Sequence, residues 1–470
     1  MRTLVWFRGK DLRVGDHAAL NDAVRRGEVV PLFVLDPYFF APERAQQTPH
    51  RSQFLLESLG QLAESLHALG SRLLVASGKS HEVVPAMARR WRVDRVVAQR
   101  WCVPFGRERD RRVSESLHVP FELFDGETLH RPGTLRTRQG KPFAVFTAFA
   151  RAFHEAPLEL EPAARPERLP ALPPDIVSDG TALPTLQQLG LSHNPRLLPG
   201  GEAAAEARLD AFLRGPARAY DAERDRLDVD ATSRLSADLK FGTLSPRSVW
   251  RRARRSLSRR PKARDSFLKE LLWREFAHAS LWDQPELLEQ PFRREWEDFP
   301  WRRSEADWQA WVTGHTGYPV IDAAARQLEC EGFVPNRARM LAASFLTKHL
   351  LLDYRRGEAH YLRLLTDGDW AQNNLNWQWC AGCGCDAQPY FRVFNPILQA
   401  QRFDPEGLYV SRWLPELARL PARYLHAPWL APPATLAQAG VQLGRDYPLP
   451  IIEHGLARQR FLALARGHLR

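Results

Sequence analysis

Residues 367–396 read DGDWAQNNLNWQWCAGCGCDAQPYFRVFNP. These thirty residues hold Asp367, Asp369, the adjacent Asn373 and Asn374, three tryptophans (Trp370, Trp377, Trp379) and three cysteines. Acids and amides each need a hydrogen-bond partner once buried, so a plain apolar core seldom collects this many. Broad aromatic faces beside acceptors and neutral amides suit a large, planar ligand with polar edges.

Outward from this stretch, helical periodicity dominates from about residue 201 to the end, and β-rich runs nearly vanish. Ser245-Pro246 reads as an N-cap followed by proline at the first helical position. It opens a basic run with Arg251, Arg252, Arg254, Arg255, Arg259 and Arg260, which reads as a solvated face or as a phosphate-contacting patch. Thr232, Ser233, Arg234 and Ser236 gather hydroxyls, backbone N–H groups and a guanidinium at a turn before a helix, which suits a pyrophosphate or plain helix capping.

Residues 1–131 alternate instead. β-rich runs at 4–7, 29–35, 72–76, 95–98 and 121–124 flank helical patterns, clearest at Phe54, Leu55, Leu59, Leu62, Leu66 and Leu69. Alternation of this kind implies a doubly wound, five-stranded parallel sheet with helices on both faces and ligands beyond the strand carboxyl ends. Gly9 alone follows the first strand, so no dinucleotide fingerprint is present. Nine prolines in 157–199 describe an extended link, expected to pack against both domains. The expected organisation is an α/β domain over 1–131, a linker over 132–200 and an all-helical domain over 201–470.

With 470 residues, 44% hydrophobic and 26% charged, the composition is that of an ordinary globular protein of two or more domains. The net charge of +11 invites an anionic partner, nucleic acid first. Five cysteines make no secreted disulfide framework, and neither a membrane span nor a signal peptide is visible, so a reducing cytoplasm is expected. Cys380, Cys383 and Cys385 spell CxxCxC, a metal-ligand spacing. With only Cys102 and Cys330 elsewhere, small buried filler is the preferred reading, and no metal is expected.

DGDWAQNNLNWQW with DAQPYFRVFNP resembles the flavin-cradling signature of the DNA photolyase and cryptochrome family. TSRLSADLKFGTLSP, FLKELLWREF, TGYPVIDAAARQLECEGFVPNRARMLAASFLTKHLL and the N-terminal LVWFRGKDLR extend the resemblance over nearly the whole chain, in order, nearest to class I-type cyclobutane pyrimidine dimer photolyases. It implies a Rossmann-like antenna domain and a helical FAD-binding domain. It also implies light-driven repair of UV-damaged DNA by electron transfer from excited, reduced FAD in a monomeric enzyme. A cryptochrome-like photoreceptor is the alternative, and a (6-4) photolyase a remoter one, because Pro335-Asn336 stands where that subfamily has a histidine pair.

The resemblance assigns FAD to Tyr220, Thr232, Ser233, Arg234, Leu235, Ser236 and Phe267, with Arg339 over the ring system. Asp367 and Asp369 match the acids that accept from the hydroxyls, Gly368 lies between them at the cofactor, and Asn373 faces the flavin N5, where an amide suits the fully reduced flavin. Glu270 and Asn336 resemble the catalytic groups at the pyrimidines, with Trp273, Met340 and Trp379 as walls around the flipped lesion. Arg224, Arg274, Arg337, Arg392 and Gln399 match DNA contacts. Electrons to reduce the flavin follow Trp377, then Tyr354 where relatives carry tryptophan, then Trp301; Trp379 or Trp311 offers a bypass. A second, light-harvesting chromophore is open. Relatives that hold folate use an Asn-Glu pair where this chain has Phe105 and Gly106, which argues against folate and leaves a deazaflavin, a second flavin or no antenna.

Overall fold

The computed structural model describes residues 1–158, 161, 163–176 and 179–468. Five strands form one parallel sheet in the order β3-β2-β1-β4-β5: β1 (Arg2–Phe7), β2 (Glu28–Leu35), β3 (Leu74–Ser77), β4 (Arg95–Gln99) and β5 (Phe121–Phe124). Each lies within two residues of its expected place. The first two strands are buried over nearly their whole length because helices cover both faces, which is why they read as continuous apolar runs without alternation. The order reverses direction at β1, with β2 on one side and β4 on the other, so a crevice opens there at the carboxyl ends.

Functional side chains also come from helices α1 (Phe146–Glu155), α2 (Pro246–Ser256), α3 (Pro261–Asp283), α4 (Asn336–Ser344), α5 (Tyr354–Leu364) and α6 (Trp370–Ala381). Ser245 caps α2 as its sequence implies. Its hydroxyl accepts from Arg247 N at 3.1 Å and Ser248 N at 3.4 Å, and Pro246 occupies the first turn.

By contacts the chain forms two compact units that do not follow chain order. The first is Met1–Arg218, Ser233–Pro285 and Thr366–Ala371; the second is Ala219–Thr232, Glu286–Leu365 and Gln372–Arg470. In the first, the proline-rich segment packs along the sheet layer: Leu169 N donates to Leu69 O at 2.7 Å, Thr181 N to Val75 O at 2.8 Å, and Leu172 and Ile176 join the core. Gly242, at φ +66°, permits a close approach, since a Cβ there would lie 1.9 Å from Lys10 O. The second unit has a single large apolar core built from the helices around Tyr318, Phe345, Tyr361 and Trp377. Among the described residues no helix is long and apolar enough to cross a membrane.

Candidate functional site

In the first unit, α3 sets Phe267, Glu270 and Trp273 at i, i+3 and i+6, a stripe along one side of the helix. Phe267 is buried against Phe212 with ring centroids 4.9 Å apart, while Glu270 and Trp273 are half-buried. The indole of Trp273 stacks on Phe146 with centroids 3.8 Å apart and planes 7° apart.

Arg274 corrects the expectation of a DNA contact. It is 4% exposed, donates from Nη1 to Glu127 O at 2.7 Å and pairs with Glu275 at 3.5 Å. One residue on from Trp273, the helix has turned inward, and a guanidinium with five donors finds backbone acceptors there. Glu275, also buried, accepts from Leu129 N, and burial pushes its carboxyl up to about 7.

The TSRLS turn precedes the short helix Ser236–Phe241, with Arg234 at φ +50° and Leu235 buried. The loop at 366–369 leaves Thr366 Oγ1 buried with no hydrogen-bond partner, one residue before Asp367 in the chain. An orphaned hydroxyl next to an acid fits the hydroxyls of a dinucleotide. Asp369 is differently employed. Its Oδ1 accepts from Ala371 N at 3.1 Å, and its Oδ2 receives the Lys10 ammonium at 2.8 Å.

Lys10 also donates to Glu127, and His278 Nε2 lies 3.4 Å from Glu127 and 3.6 Å from Asp369. Burial opposes the Lys10 charge, but the Asp369 and Glu127 carboxylates outweigh it and hold its pKa above the usual value. Burial likewise opposes ionisation of Asp369, and Lys10 with His278 keeps it well below the usual range. Glu127, His278 and Asp369 are the one group among the described residues with three potential metal-ligand atoms within 4.8 Å, and the lysine ammonium already sits among them. Sequence reasoning missed this cluster, because its members are scattered from residue 10 to residue 369.

The crevice at the strand carboxyl ends is a pocket within the first unit, enclosing about 810 Å³ of empty space, part of it open to solvent. Tyr38 and Phe105 stack at its rim with centroids 4.4 Å apart. Arg109 lies 4.2 Å from the Trp101 ring, and Arg8 lies 4.9 Å from Trp6. Only part of this charge is compensated. Arg8 pairs with Asp110 at 2.5 Å, yet its Nε and Nη2 are buried without partners, as is Arg51 Nε. Burial pushes Arg51 and Arg109 down to about 10. Gly106 is where it is because a Cβ would lie 2.6 Å from the Trp101 side chain.

In the second unit the amides of α6 form a network. Asn373 Nδ2 donates to Glu358 O at 2.9 Å, which spends the donor end of the amide and leaves Oδ1 as its free acceptor. Such an acceptor fits the N5–H of a reduced flavin. Asn374 Nδ2 bridges Leu287 O at 2.8 Å and Glu358 Oε1 at 3.0 Å, and Gln378 Nε2 returns to Leu287 O at 2.9 Å. Glu358, on α5, is a site residue the sequence did not offer; only its partners stand in the signature.

Arg339 is oriented by Nε donating to Val334 O at 2.6 Å. Asn336 is exposed at the first turn of α4, with Met340 half-buried one turn on. Arg337 pairs with Asp225 at 2.9 Å and lies over Phe403, tying α4 to the segment that carries the buried Tyr220 and the half-buried Arg224. Thr232 and Trp379 are half-buried, Arg392 is exposed, and Gln399 is half-buried on the helix Pro396–Phe403, which Asn395 caps. Cys380, Cys383 and Cys385 are buried free thiols, and burial pushes Cys380 up to about 12.

Residues 3–171 match the family model described as DNA photolyase, and residues 267–466 that described as the FAD binding domain of DNA photolyase. The chain is 40% identical to the deoxyribodipyrimidine photo-lyase of Agrobacterium fabrum, over 98% of this chain and 96% of that one. It is 41% identical to that of Thermus thermophilus, over 98% of both. Among solved structures, a bacterial class III photolyase from Agrobacterium tumefaciens superimposes with a TM-score of 0.92 at 38% identity, covering 100% and 98% of the two chains. A Synechocystis cryptochrome gives 0.90 at 30%, covering 98% and 99%. An archaeal photolyase from Sulfolobus tokodaii, solved with two FAD molecules, gives 0.82 at 28%, covering 99% and 100%.

Burial raises the Glu358 carboxyl from its ordinary 4.5 to about 7, against a lowering hydrogen bond from Asn374. Between those values the unfolded chain has released this proton and the folded chain keeps it, so rising pH favours unfolding. Glu358→Gln keeps the Asn374 acceptor and removes the titration. Its stability gain over wild type, read from urea midpoints, should grow from pH 5 to pH 8; an equal difference at both would remove Glu358 as the titrating group.

Proposed function

This chain belongs to the DNA photolyase family, and we propose that it splits cyclobutane pyrimidine dimers in DNA with light, using reduced FAD. The observation that carries the reading is the stripe Phe267, Glu270 and Trp273 on α3, which lines up an apolar ring, an acid and an indole at one-turn intervals. Reduced FAD held there would supply, on excitation, the one electron that splits the two inter-base C–C bonds of the dimer and would take it back, leaving no net redox change.

The chain's own groups bind and orient. Ser233, Arg234 and Ser236, with Thr232, supply donors for the pyrophosphate; Tyr220, Leu235 and Phe267 supply apolar contact. Asp367 and Gly368 take the hydroxyls, and Asp369 acts by fixing that loop through Lys10. Arg339 gives a cation for the ring system, and Asn373 accepts at N5 through Oδ1. On the substrate side, Trp273 stacks on the flipped dimer, an interaction worth about 1–3 kcal/mol per base. Glu270 hydrogen-bonds the pyrimidine and steadies developing charge in a dry pocket. Asn336, Met340 and Trp379 complete the lesion contacts, and Arg224, Arg337, Arg392 and Gln399 the contacts to DNA.

A light receptor would share the flavin residues but has no use for the acid and indole on α3. Glu270→Ala should therefore cut dimer repair per absorbed photon at least tenfold while FAD content stays near wild type. A colourless variant would move Glu270 to the cofactor, and undiminished repair would remove it from the substrate.

The first-unit pocket is proposed to hold a planar second chromophore with an anionic tail, of the flavin phosphate kind. Aromatic walls suit the rings, and the incompletely paired Arg8 and Arg51 suit the anion. Phe105, in place of the folate-type amide, adds a stacking face. Chromophore released from denatured protein should exceed one per chain, and Arg8→Ala should bring it down to one; a ratio of one in the wild type would speak against an antenna.

For flavin reduction the expected order Trp377, Tyr354, Trp301 has, among the described residues, ring contact at its outer step, Tyr354 to Trp301 at 6.5 Å. Trp377 instead meets Trp311 at 6.1 Å, and Trp311 meets the half-buried Trp308 at 5.5 Å. Burial pushes the Tyr354 phenol well up, which opposes the proton loss its oxidation requires. The route proposed is thus Trp377, Trp311, Trp308. Trp311→Phe should slow flavin photoreduction at least tenfold and Tyr354→Phe should not, with repair by pre-reduced enzyme unchanged in both; the reverse pattern would restore Tyr354.

A further inference from the structure

Phe146 opens α1, in a segment that the sequence places in the linker, far from either signature carrying the chemistry. It is 5% exposed, and its ring lies flat on the indole of Trp273, 3.8 Å away and within 7° of parallel. Phe276, a helical step beyond Trp273, meets both rings edge-on, at 6.0 Å from Phe146 and 5.9 Å from Trp273. Phe149, one turn along α1, packs on Phe276 at 5.3 Å. Lys269, on the exposed side of α3, sets its ammonium 5.8 Å from the Phe146 ring. Trp273 therefore ends a buried aromatic cluster, with one face covered and the residue still half-exposed.

We infer that Phe146 is a positioning residue for lesion recognition, holding the Trp273 indole in a fixed plane so that its other face meets the flipped dimer. The inference rests on the reading of Trp273 as the stacking wall. An indole on a single helix turns about two side-chain torsions, and a base stacked on it would otherwise have to order it at binding. A parallel ring behind it removes that cost in advance. Phe146 acts as a fixed backing and not as a plug to be displaced, because it is buried and anchored through Phe149 and Phe276 in the same cluster.

The test uses flavin-loaded enzyme in the dark, with dissociation constants for one oligonucleotide with and without a single dimer. Phe146→Leu should lower the preference for dimer-bearing DNA roughly threefold to tenfold, the scale of one aromatic pair, and leave affinity for undamaged DNA unchanged. Phe146→Tyr, which keeps the ring, should restore most of the preference. Added to Trp273→Ala, the Phe146→Leu substitution should cost nothing more, since the group that Phe146 positions is gone. Equal losses on both DNAs, or a further loss in the double variant, would make Phe146 ordinary core and overturn the inference. Tighter dimer binding by Phe146→Leu would make it a plug and overturn it too. If Trp273→Ala alone kept the full preference, the parent reading would fall and this inference with it. Should Phe146→Leu fail to load flavin, Phe146→Met is read in the same way.

Discussion

A lysine ammonium buried among two carboxylates and a histidine is the constraint on which the first unit depends. Lys10 lies just past β1, Glu127 just past β5, His278 on α3 and Asp369 at the start of α6. None is more than 6% exposed. Removing one member of such a set would leave charge stranded away from water, which typically costs about 3–5 kcal/mol. The set thus locks the sheet edge, α3 and the loop at 366–369 into one arrangement. Asp369 shows what this means for function. It stands in the signature and is bonded to a lysine, which holds its neighbours in place.

The second unit solves a different problem by the same means. Its aromatic core must hold one amide in one orientation, and the carbonyl of Glu358 does so by taking the Asn373 donor. A side-chain amide can flip its two ends at little cost in water, whereas here one end is committed and the other is left to accept. The neighbouring Asn374 and Gln378 are bonded in turn to backbone carbonyls, so the signature's run of amides is held as one network. Trp377 beside it fills the core and lies ring to ring with Trp311.

Much of this was legible in the sequence because local pattern and local structure coincide. The alternation over 1–131 gave five strands within two residues of their places, and Ser245-Pro246 capped its helix, since short-range hydrogen bonding decides both. The TSRLS turn and the α3 stripe followed for the same reason. What escaped was long-range. Arg274 reads as a surface or DNA arginine until Glu127 O, 147 residues away, is seen to accept from it. Tyr354 reads as the middle of an electron route because relatives carry tryptophan there, but ring contact is a matter of packing, and the rings that meet Trp377 among the described residues are those of Trp311 and Tyr361, neither of them adjacent in sequence. Phe146 and Glu358 carried no sequence signal, because each acts through a neighbour supplied by another segment.

The most direct test of the central claim is dimer loss from a defined oligonucleotide containing one cyclobutane thymine dimer, incubated with chemically reduced, flavin-loaded protein. The account predicts conversion to intact thymines under blue light at many turnovers per chain, none in the dark, and no net consumption of reductant. Stable binding to the dimer with no light-dependent conversion would contradict it.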